Sequence, residues 1–303
     1  SVTLALLLDA AASAQTTLTT NAPFAAGPPL GVVNDGKFQA MSGNVKVYGG
    51  FNFAESCSYD ATRGLIVVPS RGAAQHEIPN DGYVSLINHD GSVHTPKWIG
   101  LTRNGLTLNN PLGGEIHNGI YYLADIDGGL EQGEPTVGVI RKFDLKTGAP
   151  VGEIKTSAKP LLNDLAVAKD GTIYATQTGV GGDTPDPSSW KVFKITPDGT
   201  ANEFAVGAPM FQPNGIAMDN DGNIVVVNIG TSDVLTYAPN GKLVKTEKAI
   251  QSGNDGLVIM PDGTKYISSV RMGAISRIRP GQPADAIAMN VPSAASMCLD
   301  TGA

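Results

Sequence analysis

Asn163-Asp164-Leu165-Ala166-Val167-Ala168-Lys169-Asp170-Gly171, Asn214-Gly215-Ile216-Ala217-Met218-Asp219-Asn220-Asp221-Gly222 and Asp255-Gly256-Leu257-Val258-Ile259-Met260-Pro261-Asp262-Gly263 align without a gap. Each opens on a polar residue, runs through a short apolar strand and turns at a glycine eight positions on. Each continues into a β-rich stretch, at 172–176, 223–228 and 264–269. Looser copies open at Glu55, turning at Arg63-Gly64, and at Leu112, turning at Asn118-Gly119; a last copy opens near Ala295. A second apolar hairpin follows each full copy. Its turns fall at Asp90-Gly91, Thr147-Gly148, Asp198-Gly199, Asn240-Gly241 and Pro280-Gly281. Asp-Gly and Asn-Gly suit the positive φ of tight hairpins.

The unit is therefore four antiparallel strands, recurring at 55, 112, 163, 214, 255 and 295. Repeats of this length built from four strands are propeller blades, and closure into a ring hides the sheet edges that a linear array would leave open. The expected fold is all-β, a six-bladed β-propeller over residues 44–303. Its sixth blade is incomplete, because only one strand and a turn remain after Ala295. Residues 44–48 are the candidate for its outermost strand. Blades five and one are expected to be poorly bridged.

Composition agrees. The 303 residues include 37 Gly and 20 Pro without low complexity, and only 16% are charged, which fits a chain of short strands and tight turns. The net charge is −7 and no Lys/Arg cluster occurs, which argues against nucleic acid and anionic membranes as partners. His76, His89, His94 and His117 are not in ligand spacing, so a zinc site is not expected. Residues 1–14 hold an apolar run, Val2 to Leu8, and Ala12-Ser13-Ala14 before Gln15. They read as the remnant of a secretory signal, with 15–43 as an N-terminal extension. A periplasmic or secreted monomer is expected, with no membrane insertion once the signal is removed.

The first strand of a blade lines the central channel, so equivalent positions converge on the axis. The six copies place Glu55, Leu112, Asn163, Asn214, Asp255 and Ala295 there. Four of these are oxygen donors carrying two formal charges, a set suited to a hard ion such as Ca²⁺, other divalent ions being possible. Cys57 lies two positions after its axial residue and Cys298 three after Ala295. Strand parity then points them to opposite faces, and two unpaired thiols are expected.

These residues carry a resemblance. Pro213-Asn214-Gly215-Ile216-Ala217-Met218-Asp219, Leu162-Asn163-Asp164-Leu165-Ala166 and Asn254-Asp255-Gly256-Leu257 resemble the metal-site strands of the gluconolactonase, senescence-marker and luciferin-regenerating-enzyme family. Paraoxonases and diisopropyl-fluorophosphatase share that propeller. The family pattern is Glu in the first blade, Asn in the third and fourth, and Asp in the fifth; Glu55, Asn163, Asn214 and Asp255 match it in identity and order. The resemblance implies calcium-dependent hydrolysis of a small-molecule lactone. Glu55, Asn163, Asn214 and Asp255 would hold the ion, and Asp255 would also be the catalytic base or nucleophile. Leu112-Gly113 stands where paraoxonases resemble a His-Gly pair, so a base of that type is absent in register, and His117 falls in a turn. Asn254, Asn110, Asp164 and Arg271 are candidate residues for contacting substrate or supporting the ligands, Asn109 lies close by, and loop 181–189 is a candidate cover. The competing reading is a non-catalytic propeller binding module with a structural axial ion, because a fold does not fix a function.

Overall fold

The computed structural model describes residues 30–48, 51–72, 80–101, 106, 108–128 and 136–302. The signal remnant expected at 1–14 lies outside the described residues. Twenty of the strands form five four-stranded antiparallel sheets in chain order, each a meander. Blade 1 holds β3 Ser58–Asp60, β4 Leu65–Ser70, β5 Tyr83–Ile87 and β6 Val93–Gly100. Blade 2 holds β7 Gly114–His117, β8 Ile120–Ile126, β9 Gly138–Asp144 and β10 Pro150–Lys155. Blade 3 holds β11 Leu165–Val167, β12 Ile173–Gln177, β13 Lys191–Ile195 and β14 Ala201–Val206. Blade 4 holds β15 Pro213–Met218, β16 Ile224–Asn228, β17 Asp233–Tyr237 and β18 Leu243–Lys248. Blade 5 holds β19 Asn254–Ile259, β20 Lys265–Ser269, β21 Ile275–Ile278 and β22 Asp285–Ala288. A separate hairpin, β1 Gly31–Asn34 with β2 Lys37–Ala40, precedes them. Among the described residues the helical content is one 3-10 turn at Pro187–Ser189, and no helix is long and apolar enough to cross a membrane.

Burial follows strand rank. The second and third strands of blade 4 are buried throughout but for Asp233, whereas its outermost strand is largely exposed. The inner strands β3, β7, β11, β15 and β19 run side by side around the axis. Apolar clusters seal blade 1 to 2 around Leu86, Tyr121 and Phe143, and blade 2 to 3 around Ile140, Leu165 and Phe193. Blade 3 meets 4 around Trp190, Met210 and Leu235, and blade 4 meets 5 around Val227, Leu257 and Ile267. Burying such side chains is worth about 1.5–3 kcal/mol each. No cluster of this kind joins blade 5 to blade 1 among the described residues.

The expected sixth blade is the main departure. Residues 289–302 contain no strand, and residues 44–48 join no sheet. Two single-chain crossings span the seam instead. On the outside, Ser42 exchanges hydrogen bonds with Met289, Asn44 Nδ2 donates to the Ile287 carbonyl at 2.9 Å, and Tyr48 lies against Gly91 of blade 1. On the inside, the Ser296 N–H donates to the Glu55 carbonyl at 3.2 Å and Ser268 Oγ donates to the Ala295 carbonyl. Cys57 and Cys298 are joined by a disulfide, which corrects the expected free thiols. The parity argument failed by one residue: Ser296, not Ala295, borders the axial cavity. Cys298 is thus two positions past its axial residue, as Cys57 is past Glu55, and the two side chains share a face. The repeat could not reveal this, because among the described residues the segment 289–302 forms no strand whose pairing would fix its register.

Candidate functional site

A β-bulge recurs at the axial end of the inner strands. In blade 4, Pro213 pairs with Asn228 and Ile216 with Val226, so Asn214 and Gly215 face Val227 alone. In blade 5, Asn254 pairs with Ser269 and Leu257 with Ile267, so Asp255 and Gly256 face Ser268 alone. In blade 3 the N–H of Asn163 and the carbonyl of Asp164 both bond Thr176, and in blade 2 Leu112 and Gly113 do the same with Ala124. Blade 1 obeys the rule with one residue more: Ala54 bridges Ser70 and Ser58 pairs with Val67. A two-for-one bulge re-aims its side chains relative to the ladder. The first bulge residue is then Glu55, Leu112, Asn163, Asn214 or Asp255, the register expected from the repeat.

The second bulge position explains the glycines. A Cβ on Gly215 would lie 2.2 Å from the Asp255 carbonyl oxygen, and one on Gly256 would lie 2.5 Å from Ser296 Cα. Neighbouring bulges touch too closely for a side chain. Two blades carry another residue here, Ser56 in blade 1 and, in blade 3, Asp164. The Asp164 carboxylate occupies the space beside Gly113 and accepts the N–H groups of Leu165 (2.9 Å) and Ile216 (3.2 Å).

Glu55, Asn163, Asn214 and Asp255 border one small cavity, together with Ser56, Gly113, Asp164 and Ser296. Asn214 and Asp255 are 2% and 6% exposed, so their polar atoms have little solvent other than the cavity itself. Asn163 Nδ2 donates to Thr178 Oγ1 at 3.1 Å, and Thr178 Oγ1 donates to the Pro213 carbonyl at 2.8 Å, which turns the Asn163 amide nitrogen away from contention as a ligand. Arg71 Nη1 stands 3.9 Å from Glu55 Oε2, and its Nε donates to Asn110 Oδ1 at 2.7 Å.

Electrostatics at the cavity is that of three buried acids with one opposing cation, Arg71, among the described residues. Burial holds the Asp255 carboxyl well above the usual range; the charges of Glu55 and Asp164 add to this, and Arg71 opposes it. Burial also raises Glu55, against the pull of Arg71. Asp164 is pushed up to about 7 by burial, despite its two backbone hydrogen bonds. The three carboxyls border the cavity at separate points and do not by themselves form a cage of three acidic ligands among the described residues.

The remaining sequence candidates are spread out. Asn110 is buried and tied to Arg71, with its N–H donating to Asp125 at 2.6 Å. Asn254 is fully buried and donates to the Thr231 carbonyl at 3.3 Å. Neither borders the cavity. Arg271 is exposed beside Gly253, at the blade 5 end of the site. In loop 181–189 Gly181 lies against Gln212, the Trp190 indole donates to the Val180 carbonyl beside it, and no residue of the loop borders the small cavity. Arg71, Thr178 and Ser296 were not singled out from sequence. Arg71 and Thr178 each follow their turn glycine by seven residues, so the repeat carried a signal for both.

The model of the SMP-30/Gluconolactonase/LRE-like region matches residues 137–303, more than half of the chain. The chain belongs to this family. The match includes Asn163, Asn214 and Asp255 and stops short of Glu55, whose placement rests on the fold. Solved structures agree in architecture. A gluconolactonase from Xanthomonas campestris superposes with a TM-score of 0.54 at 17% identity, over 82% of this chain and 80% of that one. The calcium-binding protein regucalcin from Agrobacterium tumefaciens gives 0.53 at 16% identity, over 82% and 77%. A streptogramin B lyase gives 0.51 at 15% identity, over 80% and 70%. At these identities the likeness concerns the SMP-30/gluconolactonase fold, which a lyase also uses. No individually curated protein matches the chain in sequence.

Proposed function

We propose that this chain is a divalent-cation-dependent hydrolase of small lactones, sugar-type lactones first, with Ca²⁺ as the cation. The observation that carries this reading is Asp255. It is a buried carboxyl with no hydrogen-bond donor among the described residues, facing the same cavity as Glu55 and two carboxamides. Oxygen-only donors with two formal charges fit a hard cation, and the acids here need one, because among the described residues Arg71 alone offsets them. Family membership and the gluconolactonase neighbour support the reaction class.

Glu55, Asn163, Asn214 and Asp255 would hold the ion, which when bound supplies Lewis-acid polarisation of the lactone carbonyl. The chain's own residues do the rest. Glu55 balances charge, with Arg71 fixing its carboxylate. Thr178 keeps the Asn163 carboxamide oxygen toward the cavity. Asp255 accepts the proton of the attacking water at a carboxylate oxygen. The disulfide supports an oxidising compartment such as the periplasm or the exterior.

The test is a panel of sugar and acyl lactones, assayed with Ca²⁺ and with chelator, on the wild type and Asp255→Asn. We expect chelator-sensitive turnover, and in Asp255→Asn a fall of at least about 10²-fold, the usual scale for a general base, with Ca²⁺ retained. Full turnover in Asp255→Asn would remove the base assignment. Ca²⁺ binding without turnover of any lactone would favour a binding module.

A further inference from the structure

We propose that the Cys57–Cys298 disulfide is a redox latch on the cation site, so that its reduction by a dithiol weakens cation binding. The inference rests on the cation reading above. Its own ground is the seam between blades 5 and 1. Every other pair of adjacent blades is sealed by an apolar cluster, and among the described residues this pair is not. Residues 295–302 cross the inner side of the seam. They are held by the Ser296–Glu55 and Ser268–Ala295 hydrogen bonds, the His89–Asp300 pair, the contact of Gly302 with Tyr59, and the disulfide. Of these only the disulfide is covalent.

The latch sits close to the ligands. Cys57 is two residues beyond Glu55, a proposed ligand, and Cys298 is two beyond Ser296, whose N–H bonds the Glu55 carbonyl and whose side borders the cation cavity. Releasing Cys298 therefore frees one wall of the cavity and the backbone that positions Glu55. Ligand placement is demanding for an oxygen site of this kind, and a shift of one ligand lowers affinity.

The bond is also reachable. Both cysteines border the wide channel cavity of about 490 Å³ on the other side of the cation site, and both are only partly buried. A thiolate of the dithiol attacks one sulfur, giving a mixed disulfide and freeing the other cysteine. The second thiol of the reagent then displaces the first cysteine and closes its own disulfide. Two electrons and two protons end on Cys57 and Cys298 as thiols, and the dithiol is oxidised.

The experiment is Ca²⁺ titration by calorimetry on the oxidised protein, on protein reduced with dithiothreitol, and on protein reoxidised afterwards, with far-UV circular dichroism recorded on each. The Cys57→Ser/Cys298→Ser double variant serves as a permanently open form. The expected result is at least a tenfold loss of Ca²⁺ affinity on reduction, recovered on reoxidation and reproduced by the double variant, with the β spectrum kept. Equal affinity in the oxidised and reduced forms overturns the latch while leaving the cation reading intact. Loss of the β spectrum on reduction also overturns it, since the bond would then hold the whole fold rather than the seam. Absence of Ca²⁺ binding in the oxidised protein removes both readings.

Discussion

Glu115 offers a measurement of the channel's electrostatics that is separate from the cation. It lies on β7, faces the wide cavity and accepts the Val167 N–H at 2.7 Å. Burial pushes its carboxyl from 4.5 up to about 7, against that hydrogen bond, and the charge of Asp164 adds to the rise. The folded-state value lies above the unfolded one. The neutral form's advantage is therefore fully present below pH 4.5 and is lost as pH rises through 7. A gap of this size corresponds to about 3 kcal/mol at most. The side chain keeps some exposure to the channel, so water in the cavity screens part of it and about 1–2 kcal/mol is the working expectation. Glu115→Gln retains a carbonyl oxygen for Val167 and cannot ionise. The variant should match the wild type near pH 4.5 and exceed it by that amount at pH 8. For a domain of this size the gap is a few degrees in Tm. Melting curves of both proteins across pH 4.5–8, with chelator and with Ca²⁺, provide the test. A constant Tm difference over the whole range would show that Glu115 does not change charge there and that the channel solvates it as bulk water does.

Asp125 is fully buried and accepts Arg141 Nε at 2.6 Å and the Asn110 N–H at 2.6 Å. Asp125→Asn leaves Arg141 without its inner counter-charge and should cost about 3–5 kcal/mol in urea unfolding. Gly215→Ala would drive a Cβ to 2.2 Å from the Asp255 carbonyl oxygen. It should destabilise by about 1–3 kcal/mol or more and weaken Ca²⁺ in calorimetry, whereas unchanged binding would mean that the bulges have room to part. Thr178→Val removes the acceptor that orients Asn163; a hydrogen bond of about 0.5–1.5 kcal/mol predicts a several-fold weaker Ca²⁺ affinity, with lactone turnover falling in step.

The blades were legible because their turns are marked chemically. Glycine turns, most of them preceded by Asp or Asn, marked five of the six expected blades, and strands β4 and β13 lie where the turns place them. The axial residues were legible for the same reason: Asn163, Asn214 and Asp255 each stand eight residues before a turn glycine, and Glu55 and Leu112 stand nine and seven before theirs. Blade 1 tolerates its extra residue because Ala54 still pairs with Ser70, which leaves Glu55 next in line. What lay hidden depends on contacts across blades. The single-residue displacement to Ser296, and with it the disulfide, has no local signature, because the segment it belongs to pairs with no strand. The exposed position of Arg271 likewise follows from how long side chains pack, which spacing alone does not encode.

The recurring bulge makes the ring interchangeable in its parts. Every blade places its first bulge residue at the same register position on its inner strand, so the backbone there accepts a donor or an apolar side chain alike. Leu112 occupies one such mount and is spent on the core between blades 2 and 3. A lineage descending from duplicated blades inherits five equivalent mounts at once, and can gain, lose or relocate a donor by one codon without rebuilding any loop. Diversity of chemistry on this scaffold would then arise by changing the occupants of a fixed rack, while the rack itself stays under the constraint of the glycines beside it.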